Sequence, residues 1–264
     1  MATAYSISSF IDTSSWLPIR RDDAGLDSAL RERFAADRPY FNEIISLNEA
    51  PPHDSMTLFE WARPTNLTSL LASYSNHIYR DNPGMPIEHK PLKSLWAQWY
   101  VGLLVPPLIM AALTEKRALD LSLQRIHAGF HETGRAAHFW IEAREDRRAT
   151  RLTPLQRLEA IWQNVVAPMI AILENSGDIN GKLIWSNTGY LVNWFLGELQ
   201  PQLGERQVSE LREACFMNKN LSDGSANPLF RTMIIREGLR VRRTCCQRNR
   251  LPGVQQCGDC TLDK

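Results

Sequence analysis

Helical periodicity dominates the apolar and polar pattern of this chain. Leu67, Leu70, Leu71, Tyr74 and Ile78 recur at three- and four-residue spacing after Pro64, which predicts a helix with one buried stripe. Just before it, Thr57-Leu58-Phe59-Glu60 has capping-box spacing and predicts a short helix. Thr153-Pro154-Leu155-Gln156 is a second capping box, with proline at the first helical position. The helix it opens carries Leu155, Leu158, Trp162, Val165, Met169 and Leu173 on one side, runs to about Asn175 and stops at Gly177. Pro168 predicts a kink in it. Further helices are expected over Leu183–Leu199 and Arg206–Met217. A first helix is expected from Asp27 to about Leu47, with Leu30, Phe34, Phe41 and Ile45 on one face and Pro39 as an interruption. Residues 1–25 carry no legible pattern.

Two stretches break the helical rhythm. Leu123–Phe130 and Ala136–Glu142 read as strands around a turn at Glu132-Thr133-Gly134. Met233–Arg243 reads as a hairpin around Glu237-Gly238 and feeds directly into Cys245. Leu95 to Leu113 is nineteen residues without a charge and resembles a membrane span in length. Gln98 and Pro106-Pro107 interrupt it, and no basic flank sets an orientation, so two buried helices split by the prolines are expected. Peripheral contact with a membrane stays open. The pattern as a whole predicts an α+β fold: a helix-rich body over residues 1–230 with a few β-hairpins, and a small C-terminal module over residues 231–264.

Composition adds limits. The chain has 264 residues, 44% of them hydrophobic, enough for a substantial core, and no linker marks a domain boundary. Its 30 basic and 29 acidic residues leave a formal charge of +1, which speaks against a nucleic-acid binder. The charge is uneven, because residues 231–250 hold seven arginines against one acid, Glu237. That run suits a bound anionic group or a docked partner protein, or a solvated edge hairpin that discourages strand pairing.

Four of the five cysteines fall within sixteen positions: Cys245, Cys246, Cys257 and Cys260. Disulfides, zinc and an iron–sulfur group each require such clustering. The N-terminus Met1-Ala2-Thr3-Ala4-Tyr5-Ser6-Ile7 shows no signal-peptide pattern, which favours a cytoplasmic, reducing setting over disulfides. Cys257-Gly258-Asp259-Cys260 has the two-residue spacing that zinc prefers, but Cys245-Cys246 does not. An inorganic core with two irons accepts thiolates over a wider span. Spacing alone favours iron–sulfur modestly and leaves zinc open.

The string Arg242-Arg243-Thr244-Cys245-Cys246-Gln247-Arg248, then Leu251-Pro252, then Gln255-Gln256-Cys257-Gly258-Asp259-Cys260, closely resembles the C-terminus of the FhuF family of bacterial ferric hydroxamate siderophore reductases. Ser94–Tyr100, Phe130–Arg135 and Asn180–Tyr190 resemble the same family, so the likeness covers nearly the whole chain and is weakest over the first fifty residues. The C-C-x10-C-x2-C motif shows no departure from the family pattern. The resemblance implies a [2Fe–2S] cluster on Cys245, Cys246, Cys257 and Cys260. It further implies a cytoplasmic oxidoreductase that releases ferrous iron from a ferric hydroxamate siderophore, fed by an unidentified electron donor, with contact at the inner membrane left open.

Other residues have weaker claims. Trp185, Asn187 and Tyr190, followed by Asn193 and Trp194, offer aromatic and amide surface to a siderophore, although tryptophans more often fill a core. Arg242, Arg243 and Arg248 are candidate substrate contacts from the arginine run. His127 and His131 lack the H-E-x-x-H pattern and read as structural, and His138 reads as a hydrogen-bonded core histidine. Cys215 reads as a buried, inert thiol.

Overall fold

The computed structural model describes residues 25–257, 260 and 261. The N-terminal stretch Met1–Ile7, read above as lacking a signal-peptide pattern, and Gly258-Asp259 of the cysteine motif, lie outside the described residues. The chain opens with α1 (Leu26–Asp37), α2 (Phe41–Ile44) and β1 (Ile45–Leu47). The single helix expected here therefore ends before Pro39, and its last apolar residues turn into a strand. Next come β2 (Met56–Thr57), α3 (Leu58–Trp61) and α4 (Pro64–Ile78). Thr57 closes its capping box on Glu60 at 2.7 Å, and Pro64 opens α4 at its first turn.

α5 (His89–Thr114) is the central element and is one continuous helix. The expected break at Pro106-Pro107 does not occur. Each proline removes one backbone hydrogen bond and crowds the preceding turn, at a cost of roughly 3 kcal/mol. Leu104, Val105, Leu108, Ile109 and Met110 around them are all buried, and each such burial is worth about 1.5–3 kcal/mol. Packing outweighs the local preference. By length and composition α5 is the one described helix apolar enough to cross a membrane, yet it is mostly buried inside the protein.

After α5, β3 (Ile126–Phe130) and β4 (Ala136–Ile141) form the expected pair, antiparallel with a bulge at Gly129/Phe130. Two short strands that the sequence pattern hides complete a four-stranded sheet in the order β1-β4-β3-β2, with β1 parallel to β4. The sheet rests on α5 through an aromatic cluster. Trp96 stacks with Tyr100 and Phe130, and Tyr100 meets Phe139 edge-on at 5.1 Å. The Trp96 indole donates to the Gly134 carbonyl at 2.8 Å. Gly134 has a φ of 79°, and a Cβ there would sit 2.1 Å from the Leu70 carbonyl oxygen, so the β3–β4 turn closes on α4 only with glycine.

The helix opened by Thr153 comprises α6 (Pro154–Ile161), a π turn at Trp162–Val166, and α7 (Ala167–Asn175). The disturbance expected at Pro168 takes the form of this wide turn, in which the Ala167 N–H reaches back five residues to the Trp162 carbonyl. α7 ends against α5. The buried Lys93 ammonium donates to the Ser176 and Gly177 carbonyls at 3.1 and 2.8 Å and pairs with Asp178 at 3.2 Å, capping the negative end of α7. α8 (Gly181–Glu198), α9 (Gln200–Leu203) and α10 (Glu205–Met217) follow, and β5 (Met233–Arg236) and β6 (Leu239–Arg242) form a separate hairpin. The class is α+β, as the pattern predicts.

His131 closes its own turn through Thr133, and His127 lies on β3. His138 is half-buried, with Nδ1 at 3.0 Å from the Glu43 carbonyl and Nε2 at 3.0 Å from the Ser46 hydroxyl. Burial lowers its pKa below the ordinary 6.5, against the opposing pull of the Glu43 carbonyl and the Glu49 carboxylate. The unfolded chain therefore holds this proton more tightly, and stability present above about pH 6.5 is lost as pH falls through the folded value. Thermal unfolding measured from pH 7.5 to 5 should show falling stability, and His138→Gln should flatten that slope.

Candidate metal centre

The β5–β6 hairpin lies on α8 and aims the chain at its cysteines. Its turn uses Glu237 and Gly238, both at positive φ, as a two-residue hairpin demands. Residues opposite one another share a face, so Met233 and Arg242 point inward together, and both are buried. The hairpin can approach because α8 has Gly189 beneath it. A Cβ at that position would stand 2.1 Å from the Thr232 hydroxyl. Thr232 cannot yield easily, since its hydroxyl donates to the Leu229 carbonyl at 2.7 Å and its own carbonyl accepts from the Arg243 N–H at 2.9 Å.

Beyond β6 the segment is tied to both central helices. Thr244 donates to Ser186 of α8 at 2.7 Å, and Ser94 of α5 donates to the Cys246 carbonyl at 3.0 Å. Gln247 takes the left-handed conformation, which folds its N–H back to within 3.3 Å of the Cys245 sulfur. The following 3-10 turn, Arg248–Arg250, is held by an ion pair between Arg250 and Glu88, and Leu251 is buried. Adjacent cysteines thus acquire the local bend that an extended pair lacks.

Cys246 and Cys260 are almost wholly buried, at 1% and 2% exposure, whereas Cys245 and Cys257 are half-buried. The sulfurs of Cys246 and Cys257 stand 3.9 Å apart. Two thiolates about 2.3 Å from one tetrahedral metal ion are about 3.8 Å apart, so this pair already has the separation of two ligands on one ion. Burial raises the thiol pKa of Cys245 and of Cys257, and the neighbouring cysteines raise both further. Such thiols need a strong cation to become thiolates together, which suits a metal group. Among the described residues, no three cysteine, histidine or acidic side chains converge tightly enough to form a complete binding group.

Arg242 organises the space beside the sulfurs. Its guanidinium donates to Cys257 Sγ at 3.3 Å and to Asn187 Oδ1 at 3.3 Å, and lies 5.1 Å from the Tyr190 ring centroid. Asn187 in turn donates to Ser94 Oγ at 2.9 Å. A polar chain therefore runs from Cys257 through Arg242, Asn187 and Ser94 to the backbone of Cys246. Burial works against the guanidinium charge, but the sulfurs of Cys246 and Cys257 outweigh it and hold the Arg242 pKa above its ordinary value.

The structure separates the sequence candidates. Asn187 and Arg242 are buried and hydrogen-bonded to each other; Trp185 and Tyr190 are half-buried; Arg243 is exposed and Arg248 half-buried. Asn193 is half-buried and Trp194 exposed. Cys215 lies in the core on α10, where burial and the Glu159 carboxylate push its thiol up to about 12, so it stays protonated. Ser94 has no distinguishing sequence signal beyond being a polar residue at the edge of an apolar run.

A C-terminal group of thiols on a helix-rich body, with one sulfur pair at the separation of two ligands on a single ion, fits a metal–thiolate protein, and comparison with known proteins identifies the metal group. Residues 94–240 match the family described as "Ferric iron reductase FhuF-like transporter", and residues 242–262 match the "FhuF 2Fe-2S C-terminal domain". The chain belongs to the FhuF family, and its cofactor is a [2Fe–2S] cluster. A "Ferric siderophore reductase" of Escherichia coli (strain K12) is 54% identical over 244 residues, covering 92% of this chain and 93% of that protein.

The Gly189 contact generates a test. Gly189→Val should force Thr232 away and unseat the hairpin, costing about 1–3 kcal/mol of stability by overpacking. It should also lower the iron and sulfide bound per chain. Iron content at wild-type level in a folded Gly189→Val protein would show that the close approach does not position the cysteines.

Proposed function

We propose that this protein reduces the ferric iron of hydroxamate siderophores by one electron, in the cytoplasm, through a [2Fe–2S] cluster held by Cys245, Cys246, Cys257 and Cys260. The observation that carries this reading is the close Cys246–Cys257 pair on a segment tied to α5 and α8, with Cys245 and Cys260 near it in the chain. When bound, the cluster supplies single electrons at a surface that two half-exposed sulfurs reach. Residues 231–264 then form the redox module and residues 1–230 the body that carries it.

Siderophore chemistry accounts for the rest. Hydroxamate oxygens are hard, anionic ligands that favour the more highly charged ferric ion. Adding one electron weakens every iron–oxygen bond at once, so ferrous iron leaves and the chelator survives. The protein therefore has to hold the complex near its sulfurs and needs no nucleophile or general base. Trp185 and Tyr190, with Arg243 and Arg248 on the more exposed side, are the proposed siderophore contacts, whereas Asn187 and Arg242 support the sulfurs from within. Exposed Arg231, Arg236 and Arg243, with Ile235 and Leu239 at the hairpin tip, offer a basic landing area for an electron donor or for peripheral contact at the inner membrane.

Two measurements test the reading. Serine at Cys245, Cys246, Cys257 or Cys260 should remove most of the iron and labile sulfide, while Cys215→Ser should leave the absorption and EPR spectra intact. Chemically reduced protein mixed with a ferric hydroxamate and a ferrous trap should reoxidise, with about one ferric ion reduced per cluster. The rate should saturate with siderophore concentration. A cluster that stays reduced for minutes beside excess ferric hydroxamate would overturn the reductase reading; fast oxidation without saturation would indicate a nonspecific electron carrier.

A further inference from the structure

Seven arginines precede and flank the cysteines, and the structure distinguishes one of them sharply from the rest. Arg242 is 4% exposed, whereas its neighbour Arg243 is exposed to solvent. β6 ends at Arg242, whose side chain lies on the face that packs against α8, and Arg243 is the first residue beyond the strand. Arg242 shares the inward face with Met233, and Arg243 leaves the strand toward water. The buried guanidinium is fixed on three sides, by the sulfur of Cys257, by the Asn187 carbonyl oxygen and by the Tyr190 ring. Asn187 is itself held by Ser94 of α5, so the cation cannot swing away without disturbing the central helices.

We propose that Arg242 sets the reduction potential of the cluster, through its charged N–H bond to the Cys257 sulfur, and is thereby a positioning residue for electron transfer rather than a siderophore contact. This rests on the reading of Cys257 as a cluster ligand. Two ferric ions, two sulfides and four thiolates together carry a double negative charge, and the arriving electron makes it triple. A fixed cation at hydrogen-bond distance stabilises the more negative state more than the less negative one. Its effect is large where water is excluded and small where solvent and salt screen the charge. Arg242 meets the first condition and Arg243 the second. The arrangement raises the potential, so the cluster accepts an electron more readily from its donor.

The comparison of these two neighbours is the test. Wild-type, Arg242→Gln, Arg242→Lys and Arg243→Gln proteins are purified anaerobically, iron and labile sulfide are counted, and midpoint potentials are read by optical redox titration. Arg242→Gln should retain a cluster whose reduction equilibrium falls at least tenfold, about 59 mV for a one-electron couple. Arg242→Lys, which keeps the charge and loses the planar fork, should recover part of that fall. Arg243→Gln removes the same formal charge one residue away and should shift the equilibrium less than twofold. Equal shifts in Arg242→Gln and Arg243→Gln, or an unchanged potential in a fully loaded Arg242→Gln protein, would overturn the proposal. So would loss of iron and sulfide from both Arg242 variants, which would make the residue a structural tie only. Retention of a wild-type cluster in Cys257→Ser would instead refute the ligand assignment on which the proposal stands.

Discussion

The structure depends on keeping α5 out of water. This helix is apolar over most of its length, so it is stable only when other elements cover most of it. The sheet covers it through Trp96 and Tyr100, α6 and α8 pack along its flanks, and the cysteine segment is anchored on it at Ser94, while Trp99 stays exposed. The metal centre is therefore part of how the core is sealed. That dependence runs both ways, because the same burial that tolerates Pro106-Pro107 also fixes the helix on which the cysteine backbone hangs.

The arginine-rich segment shows why charge counting is a coarse instrument. Seven like charges in twenty residues suggest one electrostatic field, but the hairpin sorts them by face and depth. Arg231, Arg236, Arg243 and Arg250 are exposed, Arg240 and Arg248 are half-buried, and Arg242 alone among the seven is buried. A buried cation beside thiols is costly unless something compensates it. The sulfurs and Asn187 supply that compensation, and the price of burial marks the position as specialised.

Much of this was legible in the sequence, for identifiable reasons. Capping boxes at Thr57 and Thr153 are local devices and lie where their spacing puts them. The β3–β4 and β5–β6 pairs follow from alternation and from turn residues that accept positive φ. Prolines misled the reading because their cost is local while their compensation is tertiary: α5 runs straight through two of them, and the helix near Pro168 widens one turn earlier. β1 and β2 escaped because strands of three and two residues carry too little pattern to read. In the metal centre the cysteines announced themselves by spacing. Ser94 did not, and Asn187 stood out only as a candidate siderophore contact, since their roles beside the sulfurs arise only when α5, α8 and the hairpin meet.

Lys93 has a consequence of its own. A helix as uniformly apolar as α5 could slide by a turn against its neighbours and still bury much the same surface, because hydrophobic contact is not directional. An ammonium cannot be so indifferent. Its hydrogen bonds are directional, and here they meet the carbonyl oxygens at the end of α7. Ser94 is the next residue, so the setting that satisfies the lysine also delivers the serine hydroxyl to Cys246. Lys93 works as an indexing pin, and through it the end of one helix determines where, on another, the redox group is mounted.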